Sequence, residues 1–203
     1  MKIICIGLNY RKHALEMGWA IPGEPVVFLK PDSSLLKNNK PFFLPDFSDN
    51  IQFEVEVVIK ICKLGKGISA KYASRYYDEV TLGIDITARD IQSRQAKAGM
   101  PWELSKCFDG AAPIGSFLPV NSVKDIGNID FSLEINDKIV QKSNTSDMIF
   151  GFNEIIEYVS KFFTLKTGDL IFTGTPSGVG QLKKNDNLVA FLDNKPLLDF
   201  MIK

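Results

Sequence analysis

Residues 51–61 constrain the fold most, because apolar side chains occupy every second position from Ile51 to Ile61. This period of two predicts one continuous β-strand with a buried face. Glu54 and Glu56 project from the opposite face, with their Cα atoms about 7 Å apart. At an effective dielectric constant of about 20, two such carboxylates repel each other by roughly 2 kcal/mol. A metal ion, a cation from elsewhere in the chain or plain water would offset that repulsion; a solvated strand face is the ordinary alternative.

Asp85 supplies a third carboxylate. It interrupts the apolar run 82–86, and a buried carboxylate needs a partner. The alternative is a structural aspartate that caps a turn. Three acids, in a chain with one histidine and three cysteines without CxxC spacing, form an all-oxygen ligand set. Such a set favours Mg²⁺ or Mn²⁺, with Ca²⁺ as a further option, over zinc.

The rest of the chain predicts an α+β fold with a predominantly β core. Thr87 with Asp90 predicts a capping box for the helix that runs to Ala98, Asn153 predicts a helix cap, and Asn136-Asp137 predicts a hairpin turn. Residues 31–50 are expected to be loop. Further strands are predicted at 2–7, 25–29, 80–86, 129–135, 138–141, 169–173, 187–192 and 196–202, and further helices at 10–17, 71–79 and 153–163.

Length and charge limit the classes of protein to consider. The 203 residues suit one domain, with residues 1–45 as N-terminal strands and a lid segment. Lysine plus arginine total 24 and aspartate plus glutamate total 24, which argues against nucleic-acid and anionic-membrane partners. No apolar stretch approaches the roughly 18 residues of a membrane helix. We therefore expect a cytoplasmic protein.

His13 is the only histidine, and Glu16 follows it by three residues. On a helix the two side chains share one face. A carboxylate beside an imidazole fixes its tautomer and raises its basicity, as suits a general base. The alternative is an exposed histidine on a surface helix.

Six segments together resemble the fumarylacetoacetate hydrolase family, in that family's order and across essentially the whole chain. They are Gly7–Glu16, Phe28–Pro31, Phe53–Glu56, Asp85–Gln92, Pro101–Lys106 and Thr173–Gly180. The nearest branch is the short acylpyruvate hydrolase and oxaloacetate decarboxylase group. Leu8 departs from the pattern, because close relatives often carry Arg or Lys after the glycine.

The resemblance implies a mixed β-sandwich roll, usually a homodimer, with Mg²⁺ or Mn²⁺ held by Glu54, Glu56 and Asp85. It implies that His13 and Glu16 form the catalytic pair. It implies that Lys106 faces a small 2-oxo acid substrate and stabilises an enolate, and that Thr175 binds the substrate carboxylate. From their positions in the sequence, Gln92 would hold a water or a substrate oxygen, and Lys30 would bind substrate. Arg89 would bind substrate or, as the alternative, pair with a nearby acid.

The implied activity is hydrolysis of the C–C bond of acylpyruvate-type 2,4-dioxo acids through a pyruvate enolate, or decarboxylation of oxaloacetate. Isomerisation or tautomerisation of a 2-oxo or 2-hydroxydienoate dicarboxylic acid would use the same enolate. A non-enzymatic small-molecule binder is the third possibility. The sequence leaves these three open.

Overall fold

The computed structural model describes residues 1–203, which form fifteen strands and five α-helices. The helices are α1 (Arg11–Glu16), α2 (Ala70–Ala73), α3 (Arg89–Lys97), α4 (Glu103–Lys106) and α5 (Phe152–Phe162). The strands are β1 (Ile3–Gly7), β2 (Val26–Lys30), β3 (Leu35–Leu36), β4 (Ile51–Phe53), β5 (Val55–Ile61), β6 (Tyr77–Ile84), β7 (Thr87–Ala88), β8 (Ala112–Pro113), β9 (Leu118–Pro119), β10 (Asp130–Ile135), β11 (Lys138–Asn144), β12 (Leu170–Phe172), β13 (Gly180–Gln181), β14 (Asn187–Leu192) and β15 (Lys195–Met201).

The strands form four sheets, and the predicted α+β fold with a predominantly β core is confirmed. The largest sheet has the order β2-β1-β12-β5-β6-β9, and the second has the order β11-β10-β14-β15. Two small sheets, β13-β4-β7 and β3-β8, complete the set. One apolar core contains side chains from both large sheets, which therefore pack on each other. None of the helices has the length and apolar character needed to cross a membrane.

The prediction of one continuous strand over 51–61 is wrong at Glu54. Strand β4 pairs with β13 and β7, whereas β5 pairs with β12 and β6. Glu54 is the single residue between them, where the chain passes from one sheet to another. Its carbonyl oxygen accepts from the backbone N–H of Asp85 at 2.8 Å, and this bond holds two of the predicted site segments side by side.

The predicted caps of two helices are also wrong. Thr87 lies in β7, and α3 begins two residues later at Arg89, because the Thr87 hydroxyl donates to the carbonyl of Asp85 instead. Asp90 accepts from Ser48 rather than closing a capping box. The helix predicted from Asn153 begins at Phe152, since the N–H of Gly151 donates to Glu154 at 2.8 Å.

The helix predicted over 71–79 is much shorter in the structure, whereas the hairpin predicted at Asn136-Asp137 is present. The helix expected over 71–79 is only the one turn of α2, because the chain enters β6 at Tyr77. The hairpin at Asn136-Asp137 is confirmed between β10 and β11. Both turn residues have positive φ, 51° and 63°, as the tightest hairpin turns require.

Gly83 in β6 lies opposite Glu56 and leaves the space that Phe172 fills. A Cβ at this position would lie 2.5 Å from a ring carbon of Phe172, inside the packed core. Gly83→Ala should therefore lower the free energy of unfolding by about 1–3 kcal/mol through overpacking, as measured by urea denaturation. Gly23→Ala is the matched control, because nothing lies within 4 Å of its Cβ position. Equal stability of the two variants would contradict this packing account.

Candidate metal centre and active site

Three buried carboxylates converge in the structure. Glu54 comes from the junction of β4 and β5, Glu56 from β5, and Asp85 from the end of β6. One carboxylate oxygen of each lies within 4.8 Å of the others. The residues are only 5%, 2% and 1% exposed, which excludes the solvated strand face as an explanation of Glu54 and Glu56.

Lys106, the last residue of α4, places its ammonium group among these acids. Its Nζ lies 2.8 Å from Glu54, 2.6 Å from Asp85 and 2.6 Å from the Thr87 hydroxyl. Burial acts to lower the Lys106 pKa, but the charges of Asp85 and Glu54 outweigh it and raise the pKa. Lys106 is therefore a buried, charged cation in direct contact with two of the three carboxylates.

Lys30 approaches Asp85 from the other side, with its Nζ 2.7 Å from Oδ1. Its Nζ also lies within 3.3 Å of three carbonyl oxygens, those of Ile86, Lys106 and Ala111. Asp85 Oδ1 is buried beside this positive charge, and no other donor reaches it. Lys30 does not line the pocket, and its role in substrate binding stays a prediction.

Arg89 forms an ion pair with the carboxylate of Glu54. Its guanidinium donates to Glu54, to Gln92 and, at 2.7 Å, to Gln52. Burial would raise the pKa of Glu54, yet Lys106 and Arg89 lower it well below its usual range. Glu54 is therefore ionised.

Glu56 differs from Glu54 because neither an arginine nor a lysine contacts it. Burial, and then the charge of Asp85, raise its pKa well above the ordinary value. The N–H of Gly174 donates to it at 2.7 Å and acts in the opposite direction. Glu56 thus carries an ionisation cost that the protein alone does not offset.

These features fit a divalent cation. A hard cation takes oxygen ligands, and all three groups here are carboxylates. Asp85 Oδ1 has no donor near it other than the Lys30 ammonium, and no lysine or arginine is in direct contact with Glu56. Glu54, Glu56 and Asp85 would hold the ion. The Lys106 ammonium would then have to move away from Glu54 or Asp85.

His13 and Glu16 lie together on α1 over the same pocket. The Nδ1 atom of His13 is 3.3 Å from Glu16 Oε2, and Glu16 also accepts from the N–H of Gly178 at 3.1 Å. His13 is only 4% exposed, which contradicts the alternative of an exposed surface histidine. The Glu16–Gly178 bond joins α1 to the glycine-rich turn.

One part of the pocket wall is apolar. Trp102 packs edge-to-face on Trp19 and on Phe28, each with ring centroids 5.9 Å apart. Leu8 and Met17 complete this wall. Leu8 has a φ of 57°, a strained backbone conformation for a leucine.

Most of the predicted site residues share this one pocket. Glu16 and Lys30 do not line it, but they contact His13 and Asp85 respectively. Sequence reasoning missed Thr87 as a partner of Lys106 because its position after an apolar strand indicated a helix cap. The predicted residues that line the pocket are His13, Glu54, Glu56, Asp85, Arg89, Gln92, Lys106 and Thr175.

Comparison with known proteins identifies the family. The model of the fumarylacetoacetate hydrolase C-terminal domain matches residues 2–198. The chain therefore belongs to the fumarylacetoacetate hydrolase family, as the sequence motifs predicted.

Several relatives have names that describe an activity. A mitochondrial oxaloacetate tautomerase of Caenorhabditis elegans is 41% identical over 96% of this chain and 91% of that protein. A mitochondrial oxaloacetate decarboxylase of Dictyostelium discoideum is 45% identical over 90% of this chain and 84% of that protein. The structure of fumarylpyruvate hydrolase from Pseudomonas aeruginosa, in complex with Mn²⁺ and pyruvate, is 33% identical with a TM-score of 0.94, covering 100% of this chain and 89% of that one.

The elevated pKa of Glu56 gives a stability test of the metal centre. A carboxyl group with a raised folded pKa costs stability as pH rises from its unfolded pKa through its folded pKa. Glu56→Gln removes that cost and keeps an acceptor for Gly174, so it should raise the melting temperature of the EDTA-treated protein at pH 7. The variant should also lose the stabilisation by Mn²⁺, which for one intact site is about 2.7 kcal/mol at 100 times the Kd.

Differential scanning calorimetry with and without Mn²⁺ measures both effects. Glu79→Gln is the matched control, since Glu79 is about one-third exposed and pairs with Lys60 away from the site. A Glu56→Gln protein that Mn²⁺ stabilises as much as it does the wild type would refute the ligand assignment of Glu56.

Proposed function

We propose that this chain catalyses keto–enol tautomerisation of oxaloacetate, a small 2-oxo dicarboxylic acid, in a reaction that depends on a divalent metal. The observation that carries this proposal is the placement of the buried His13, paired with Glu16, and a three-carboxylate centre in one pocket. Tautomerisation requires a base for the proton at C3 and positive charge near the 2-oxo group. Oxaloacetate tautomerases of C. elegans and Escherichia coli, 41% and 38% identical to this chain, support the choice of substrate.

Positive charge at the carboxylate centre serves the 2-oxo end of the substrate. Mg²⁺ or Mn²⁺ bound by Glu54, Glu56 and Asp85 would supply Lewis-acid stabilisation of the enolate charge. Lys106 adds a buried ammonium at the same place, held charged by its acidic neighbours. An ammonium in a site that excludes water stabilises a developing anion far better than one in solvent.

The imidazole of His13 transfers the C3 proton. Glu16 accepts from Nδ1, which fixes the tautomer and leaves Nε2 as the unprotonated nitrogen. Burial of His13 excludes water from this proton transfer. Helix α1 would act as a lid over bound substrate, and the Glu16–Gly178 hydrogen bond would hold that lid closed.

The substrate carboxylate requires directed donors. Thr175 lies in the pocket beside the glycine-rich turn, and its hydroxyl can donate to a carboxylate oxygen. Arg89 and Gln92 are bonded to each other at the pocket edge and would orient the second carboxylate or a water.

Hydrolysis of the C–C bond of an acylpyruvate is the second candidate, and the apolar wall favours it. Leu8, Trp19 and Trp102 suit an uncharged acyl group better than a carboxylate. The same His13–Glu16 pair would then deprotonate water. Decarboxylation of oxaloacetate remains a third outcome of the same enolate. A homodimer remains our expectation for the assembly.

One set of assays tests the proposed function and separates these reactions. The decay of enol oxaloacetate is followed by absorbance, and pyruvate release from acetylpyruvate and oxaloacetate is followed in parallel, with Mn²⁺ and with EDTA. We expect EDTA-sensitive enol decay, and His13→Asn should lower its kcat by at least about 100-fold because a general base contributes roughly 10²–10⁴-fold. Lys12→Asn, an exposed position on the same helix, is the control.

Folded, Mn²⁺-loaded protein that does not accelerate enol decay would overturn the tautomerase proposal. Release of pyruvate from acetylpyruvate by that same sample would favour the hydrolase.

A further inference from the structure

Gln141 connects the second large sheet to the pocket. It lies in β11, is 1% exposed, and its side-chain oxygen accepts from the N–H of Val55 at 2.9 Å. Its side-chain nitrogen donates to the Thr175 hydroxyl at 3.0 Å and to the carbonyl of Pro176 at 2.9 Å. Sequence reasoning missed this residue because it occupies an ordinary hairpin strand, distant in sequence from every site motif.

These partners fix the orientation of the amide group. The Val55 N–H is a donor and the Pro176 carbonyl is an acceptor, so a rotated amide would place oxygen against oxygen and nitrogen against N–H. The nitrogen of Gln141 must therefore face Thr175. Because the amide donates to Thr175 Oγ1, it occupies an acceptor position of that hydroxyl.

The hydroxyl proton of Thr175 is consequently available to another acceptor. Gln141 is the only side chain or backbone group that bonds to this hydroxyl in the structure. Thr175 is 3% exposed and borders the pocket, so the acceptor it can reach is a ligand in that pocket. The amide thus sets the hydroxyl as a donor toward the ligand.

Asn9 is a second amide side chain near the pocket, but its hydrogen bonds serve only to hold the backbone. It donates to the carbonyls of Phe150 and Thr173 and accepts from the Phe150 N–H, so all its bonds are to backbone. Gln141 also bonds to backbone, but in addition it contacts a pocket side chain.

We propose that Gln141 is a positioning residue that makes Thr175 a hydrogen-bond donor to the substrate carboxylate. The inference rests on the proposed function, since it assumes a 2-oxo acid in the pocket. Gln141 contacts neither the carboxylate centre nor His13 through its side chain, so its effect should fall on substrate binding and not on the proton-transfer step.

A double-mutant cycle tests this proposal. Gln141→Met keeps the side-chain length but removes the amide, and Thr175→Val removes the hydroxyl. Gln141→Met should raise the KM for oxaloacetate and the Kd for pyruvate about tenfold, the size expected for a hydrogen bond to a charged group, with little change in kcat. In the Thr175→Val background, Gln141→Met should change both constants far less than it does when Thr175 is present.

Gln141→Glu provides a second variant that keeps an acceptor for Val55. Its carboxylate would accept a hydrogen bond from the Thr175 hydroxyl, so KM and the pyruvate Kd should also rise, and again mainly while Thr175 is present. Gln181→Met is the control, because Gln181 is an exposed glutamine bonded to the Asp49 carbonyl.

Equal effects of the Gln141 variants with and without Thr175, or a variant with native KM and Kd, would overturn the positioning role. Failure of the proposed function is distinct, since wild-type protein would then not accelerate the enol decay of oxaloacetate, whatever the Gln141 variants do to the pyruvate Kd. Calorimetric melting of each variant checks that a change in KM does not reflect a loss of fold.

Discussion

The contact of the Lys106 ammonium with Glu54 and Asp85 is the interaction on which the rest of the site depends. Burying several carboxylates costs several kcal/mol per ion unless their charge is compensated. Lys106 and Arg89 compensate Glu54, Lys106 and Lys30 compensate Asp85, and no lysine or arginine contacts Glu56. The negative charge of Glu56 is therefore not compensated within the protein, and a divalent ion bound there would compensate it.

The carboxylate centre forms where the chain passes from β4 to β5 at Glu54. Because the chain changes sheets at Glu54, both Glu54 and Glu56 become buried, and Asp85 is attached to the same junction through the backbone. Gln141 binds the next residue, Val55, from the second large sheet. The carboxylate centre is therefore held by packed strands, whereas His13 lies on a short helix joined to the turn at Gly178. That contrast suits a rigid site beneath a cover that can open.

Much of this arrangement could be predicted, and the failures have a common physical cause. The alternating residues of 51–61 and the isolated Asp85 identified the three acids, because local periodicity determines which face a side chain occupies. The strand break at Glu54 was not predictable, since it arises from pairing with strands far away in the chain. Thr87 failed as a helix cap for a similar reason: its hydroxyl bonds to Asp85 and Lys106. The family motifs supplied Lys106 as a site residue, but its ion pairs needed the structure.

A crystal structure of the protein grown with Mn²⁺, with anomalous scattering recorded to locate the ion, tests the central claim most directly. Our account predicts one strong anomalous peak within bonding distance of an oxygen from each of Glu54, Glu56 and Asp85, with the Lys106 ammonium moved away from at least one carboxylate. A structure without such a peak at saturating Mn²⁺, with Lys106 still bridging Glu54 and Asp85, would contradict it. The three acids and their cations would then be a closed structural ion-pair network.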